Sequence, residues 1–87
     1  MNTVILKQKL FFTENIQRVL MPKGAKIVEV REEDRFPALW FQCDPSQEEE
    51  TRSFLIRGTG HGIEDGFTYV GTVHDHPFVW HILEKQS

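Results

Sequence analysis

Short segments of alternating apolar and polar residues, separated by polar turns, run through the whole 87-residue chain. Alternation with a period of two places the apolar side chains on one face of a β-strand. About seven such segments recur at intervals of roughly 8–12 residues, a spacing typical of antiparallel sandwiches and small barrels. They lie at residues 4–12, 16–21, 25–32, 36–43, 51–56, 67–73 and 78–83. The sequence therefore predicts an all-β fold: a single small antiparallel β-sandwich or barrel of about six to seven strands, spanning residues 1–87.

Residues 16–21 fit two interpretations. Val19 and Leu20 lie three and four residues after Ile16, so the three residues also fit one face of a helix. A helix of this length, bounded by proline, would be very short, so we favour a strand. Residues 22–24, Pro-Lys-Gly, then predict a tight reversal, because proline presets φ and glycine supplies the unusual backbone conformation.

Three of the segments make specific predictions about strand faces. Ile27 and Val28 are adjacent apolar residues, which predicts a β-bulge or a segment that is covered on both faces. Leu39, Phe41 and Cys43 share one apolar face, which predicts that the Cys43 thiol is an unreactive core group. In the segment 67–73, strict alternation predicts one face made of Phe67, Tyr69, Gly71 and Val73.

Composition excludes several classes of function. The formal net charge is −3, which argues against general nucleic-acid binding, since that requires basic residues to neutralise phosphates. The single cysteine excludes an internal disulfide and indicates a reducing compartment. No apolar stretch approaches the roughly 20 residues that a membrane-spanning helix needs, and the first residues lack the pattern of a secretion signal. We therefore expect a cytoplasmic protein with no membrane association.

The glycine-rich run Arg57-Gly58-Thr59-Gly60-His61-Gly62 is the strongest candidate for a site. Successive backbone N–H groups in a glycine-rich bend can bind an anion, and an arginine can add a bidentate contact. The run matches neither a P-loop nor a dinucleotide fingerprint, because no helix signal or βαβ unit surrounds it. The alternative interpretation is a plain turn between two strands. The predicted ligand-binding residues are Arg52, Arg57, Gly58, Thr59, Gly60 and His61.

Catalytic and metal-binding patterns are weak. No pair of carboxylates and no Ser/His/Asp set has a spacing that singles it out, so we predict no catalytic residues, no metal site and no cofactor. His74 and His76 are two residues apart and could share a strand face, but the Asp-His-Pro run at residues 75–77 predicts a turn. A metal-dependent enzyme that uses His74, His76 and His81 is kept as an alternative.

The aromatic residues are explained first as core. Trp40 is predicted on the strand face opposite Leu39 and Phe41, which indicates a second apolar face. An exposed apolar face usually marks an interface. We therefore expect the chain to form a homo-oligomer through a β face.

Five stretches form one ordered pattern, and together they resemble a family of short uncharacterised proteins found in bacteriophages and bacterial genomes. The resemblance covers residues 20–84, and residues 47–50 and 74–77 depart from it. It implies a compact domain of phage or prophage origin, in the cytoplasm of a bacterial host, with no known catalytic residues. The stretches are LMPKGAKIV at 20–28, LWF at 39–41, RSFLI and GTGH at 52–61, YVGTV at 69–73 and FVWH at 78–81.

The composition and the resemblance together favour a non-enzymatic binding module, a phage-type accessory protein. Its expected partner is a host protein or a small anionic, nucleotide-like ligand. The argument from phage origin is one of class only. A structural or assembly protein of a virion is the main alternative.

Overall fold

Seven β-strands form the computed structural model, which describes residues 2–86 and contains no helix within that part. The all-β prediction is confirmed. Every pairing between neighbouring strands is antiparallel. The strands are β1 (Val4–Lys9), β2 (Gln17–Pro22), β3 (Lys26–Glu33), β4 (Phe36–Cys43), β5 (Glu49–Gly58), β6 (Phe67–Asp75) and β7 (Phe78–Lys85).

The strands form two sheets that pack as a sandwich. One sheet has three strands in the order β1-β4-β3, and the other has four in the order β2-β5-β7-β6. Strands that are neighbours in sequence therefore often belong to different sheets, so each sheet is completed by connections that cross the sandwich. This arrangement brings β5 and β7 to the centre of the four-stranded sheet.

The core lies between the two sheets and is built from alternate residues of the central strands. Cys43 is buried there as a free thiol, as predicted. Phe12, Ile27, Val30, Val70 and Trp80 pack around the edge of the core. The core cluster is Leu10, Val19, Met21, Ala25, Leu39, Phe41, Cys43, Phe54, Ile56, Val73 and Ile82.

The predicted turn and the ambiguous segment are both resolved. Residues 17–22 are the strand β2, so the strand interpretation of 16–21 is confirmed apart from its first residue. The Ala25 amide donates to the Pro22 carbonyl oxygen at 3.1 Å, and Gly24 has φ of 84°, which is the geometry of a type II turn. The first strand ends at Lys9 rather than at residue 12. The Leu10 amide still donates to the Pro37 carbonyl oxygen of β4, but Pro37 has no N–H with which to return a bond, so the ladder stops there.

Two bulges decide which side chains face the core. The register of β3 against β4 shifts between Ile27 and Glu29, so the predicted bulge is confirmed. A second shift lies between Tyr69 and Gly71, and it was not predicted. Phe67 and Tyr69 therefore lie on the outer face of the sheet, whereas Gly71 and Val73 face inward. The prediction of one common face for these four residues is wrong, because the extra residue of a bulge inverts the alternation beyond it.

Candidate functional site

The predicted glycine loop begins with a tight turn at the end of β5. The His61 amide donates to the Gly58 carbonyl oxygen at 3.1 Å, and Gly60 has φ of 88°. A positive φ at the third position is the requirement of a type II turn, which glycine meets without steric cost. The turn presents Thr59 at the rim of the four-stranded sheet.

Gly58 is needed for a different reason. A Cβ at this position would lie 3.1 Å from His61 Cε1 and 3.4 Å from Trp80 Cζ3. The His61 ring therefore folds over the backbone of Gly58, where a larger residue would push it away. Both glycines thus have a role in shaping the backbone.

Arg57 lies on the outer face of the four-stranded sheet, in one row with residues from two other strands. It is paired in register with His81 on β7, and His81 is paired with Thr72 on β6. Directly opposed side chains on one face of an antiparallel pair lie about 5 Å apart at Cβ. The row therefore crosses three strands and places three polar side chains side by side.

Hydrogen bonds connect His81 and Thr72 of this row to two further side chains, Thr59 and Tyr69. His81 Nε2 lies 2.9 Å from Thr59 Oγ1, and His81 Nδ1 lies 2.8 Å from the Tyr69 hydroxyl. The Tyr69 hydroxyl also contacts Thr72 Oγ1. A neutral imidazole donates from one nitrogen and accepts at the other, so the hydroxyl on each side must take the complementary role. We call Arg57, Thr59, Tyr69, Thr72 and His81 the outer-face patch.

The guanidinium of Arg57 is only partly used by the protein. Its Nη1 donates to the carbonyl oxygens of Glu14 at 3.1 Å and Ile56 at 3.0 Å. Within residues 2–86, its Nε and Nη2 donate no hydrogen bond. The two carbonyls hold the planar group in place, so the remaining N–H groups form a donor set for an incoming anion.

Tyr69 gives the patch an exposed aromatic surface. Its side chain is 56% exposed although its hydroxyl is bonded. Its ring lies 5.7 Å from the His81 ring, tilted by 49°. An aromatic face held by hydrogen bonds can stack on a planar ligand with little further ordering.

Arg52 lies apart from the patch. Five residues before Arg57 on the same strand, it lies on the opposite face, and its side chain donates to Glu84 at 2.5 and 2.8 Å and to the Ala25 carbonyl at 2.6 Å. Hydrogen bonding to Glu84 raises the pKa of Arg52 above its ordinary value, although burial acts in the opposite direction. Its donors are therefore occupied by a structural ion pair.

His61 lies outside the hydrogen-bonded set of the patch, although it lines an open depression together with Thr59. It lines a small cavity of about 150 Å³ at the end of the sandwich, with Phe12, Ile56 and Trp80 among the other lining residues. Phe12 and Trp80 form a tilted aromatic pair with centroids 5.3 Å apart. Of the predicted site residues, Arg57 and Thr59 lie on either side of Gly58 at the end of β5, and Gly58, Gly60 and His61 belong to the turn there. Arg52 alone lies apart, on the opposite face of the sheet.

A family model described as a domain of unknown function, DUF7352, matches residues 1–87. The chain belongs to the DUF7352 family. This membership agrees with the predicted resemblance to an uncharacterised family, and it brings no activity and no site residues with it. The comparisons with curated proteins and with solved structures gave no match.

Two residues of the patch in this DUF7352 chain, Tyr69 and Thr72, were not predicted as site residues. His81 was considered only as a ligand in the alternative of a metal-dependent enzyme. The adjacent Tyr69 and Val70 were a possible signal of a bulge, since the same kind of pair predicted the bulge at Ile27 and Val28. Pairing between distant strands left no signal in the local pattern.

Across residues 2–86, no three histidine, cysteine, aspartate or glutamate side chains are grouped so that they could hold a metal ion. The same part of the chain contains no helix long and apolar enough to cross a bilayer.

The turn makes a first testable prediction. We expect Gly60→Ala to lower the free energy of unfolding by about 1 kcal/mol, because alanine is strained at this positive φ. Urea denaturation measures the change. Gly62→Ala is the matched control, since a Cβ there meets nothing within 4 Å and its φ lies outside the left-handed region. Equal losses in the two variants would contradict the type II turn.

Proposed function

We propose that this domain is a non-enzymatic binding module that holds a small anionic, nucleotide-like ligand on the outer-face patch. The observation that carries the proposal is the partly free guanidinium of Arg57 on the same sheet face as the hydrogen-bonded set of Thr59, His81 and Tyr69. Arginine recognises phosphate through paired N–H donors. Tyr69 supplies an aromatic face for a base, and the hydroxyls supply donors and acceptors for a sugar.

The patch is built for binding more than for reaction. Thr59, His81 and Tyr69 are arranged like the nucleophile, base and orienting group of a catalytic triad: a hydroxyl, an imidazole and a third group bonded to the imidazole. The third member is a neutral hydroxyl, however, and not a carboxylate that would stabilise an imidazolium. The hydrogen bonds instead hold the side chains in fixed positions, which lowers the entropic cost of binding.

A role as a phage-type accessory protein in the cytoplasm of a bacterial host is part of the same proposal. The sequence resemblance supports this role, because small phage accessory proteins act by capturing one component of the host. The ligand is a free nucleotide, or a phosphate-bearing group of similar chemistry on the surface of a host protein.

Arg57→Glu provides the decisive test. We expect ADP-ribose, a cyclic dinucleotide or ATP to raise the melting temperature of the wild-type domain by several degrees, because a ligand at 100 times its Kd adds about 2.7 kcal/mol to stability. Charge reversal at Arg57 should weaken that binding by at least about tenfold in calorimetry, since an anion would meet a carboxylate.

Arg18→Glu is the matched control. Arg18 is exposed and paired with Ser53, which lies on the same sheet face as Arg57 and four residues before it. The substitution therefore changes the net charge by the same amount without removing a residue of the patch. Equal weakening in both variants would show only a long-range charge effect. The proposal would be overturned if no nucleotide shifted the melt, or if the domain hydrolysed a nucleotide or an activated ester in a Thr59-dependent reaction.

A further inference from the structure

Strand β1 is a free edge with apolar side chains exposed on both of its faces. Val4 and Leu6 pair with Cys43 and Phe41, which are core residues, so they lie on the inner face of the sheet. Ile5 lies on the outer face. The exposed fractions of Val4, Ile5 and Leu6 are 40%, 60% and 43%. An edge strand of this kind offers unpaired backbone groups and apolar surface together.

The other edges of the two sheets are protected. The edge strand β2 carries the exposed Arg18 and ends at Pro22, which cannot donate to a ladder. Strands β3 and β6 are interrupted by bulges at Val28 and Val70. Bulges, charges and proline are the devices that prevent edge pairing. Residues 4–6 of β1 have none of them.

The lysines of β1 do not protect this half of the strand. Lys7 is ion-paired with Glu33, and Lys9 lies 3.6 Å from Asp34. Both partners lie at the hairpin end of β3, so the two cations are drawn across the sheet and away from the free edge. The apolar half of β1 is left open to another strand.

The pattern of β1 is complementary to itself. A two-fold axis perpendicular to the sheet pairs the β1 strands of two copies antiparallel. Each face of one sheet then continues into the same face of the other, so inner-face residues oppose inner-face residues and outer-face residues oppose outer-face residues. With the axis at Ile5, Ile5 opposes Ile5, and Val4 opposes Leu6 on the inner face. Moving the axis to Leu6 would set Ile5 against Lys7, so the register through Ile5 is favoured.

We infer that this domain forms a closed dimer in which the β1 strands of two copies pair antiparallel about Ile5, joining two three-stranded sheets into one of six strands. The occupant of the free edge is a second copy of the chain. The inference uses no residue of the outer-face patch, so it stands or fails separately from the proposed function.

Charge-swapped variants test both the surface and the register. We expect the wild type to sediment as a dimer at micromolar concentration. Ile5→Lys and Ile5→Glu should each weaken dimerisation by at least tenfold, since like charges would meet on the axis. An equimolar mixture of the two variants should recover a heterodimer, because opposite charges then face each other.

Leu20→Lys is the matched control, since Leu20 is 63% exposed on β2. It should leave the dimer intact, and circular dichroism of all variants should show an unchanged fold. A monomeric wild type at 100 micromolar, a dimeric Ile5→Lys variant, or a mixture that stays monomeric would each overturn the inference. So would open-ended association, which instead favours an assembly role.

Discussion

Gly71→Ala should destabilise the domain by about 1–3 kcal/mol, the usual cost of forcing an extra methyl group into a packed core. A Cβ at Gly71 would lie closer than 3.0 Å to Val30 Cγ2, nearer than real Cβ atoms approach. Gly71 follows the bulge of β6 and faces inward, and Val30 packs from β3 of the other sheet. The glycine therefore sets how closely the two sheets approach at this edge.

A double-mutant cycle identifies the cause. Val30→Ala removes the methyl groups that would clash, so we expect Gly71→Ala to cost much less in that background, with a coupling energy of about 1 kcal/mol or more. The change is measured by urea denaturation at pH 7. Additive losses would mean that the alanine acts on the conformation of the strand. They would contradict the explanation that Gly71→Ala destabilises the domain through a clash with Val30.

Arg52→Ala should lower the free energy of unfolding by about 2 kcal/mol, because hydrogen bonds to charged groups contribute about 1.5–3 kcal/mol. The substitution removes two bonds to Glu84 and one to the Ala25 carbonyl. The side chains of Arg52 and Glu84 are 18% and 19% exposed, so the carboxylate would be left largely desolvated and without a partner.

Lys7→Ala is the comparison for Arg52→Ala. Lys7 is also ion-paired, with Glu33, but its side chain is 42% exposed. An exposed pair contributes about 0–1 kcal/mol, so we expect a small loss in thermal or urea denaturation. Losses of similar size in the two variants would mean that burial does not distinguish the pairs. Arg52→Lys should fall between them, since lysine keeps the charge but not the two-pronged geometry.

Much of the fold could be predicted because the sequence signals for β-strands and turns are local. Seven alternating segments gave the strands, and the Pro-Lys-Gly run gave the turn after β2. The adjacent apolar pair Ile27 and Val28 gave the bulge in β3. Each of these signals lies within a few residues, because side-chain alternation and turn chemistry are properties of the backbone over that length.

The candidate site could be predicted only in part. The run from Arg57 to Gly60 was found because glycine and charge stand out in a strand-rich sequence. The contribution of His81 depends on the pairing of β5 with β7, and that of Tyr69 depends on the bulge at Val70. The pairing of Arg52 with Glu84, 32 positions apart in sequence, was equally hidden.

The amino-acid sequence by itself determined that this chain forms short strands, where most of its turns lie and that its cysteine belongs to the core. The tertiary structure alone decided the sheet order, the pairing of Arg52 with Glu84 and the assembly of the outer-face patch. The physical reason is that alternation specifies two faces of each strand but not which strand lies beside it. Partner choice is settled by the packing of the whole core, and a single bulge inverts the faces beyond it.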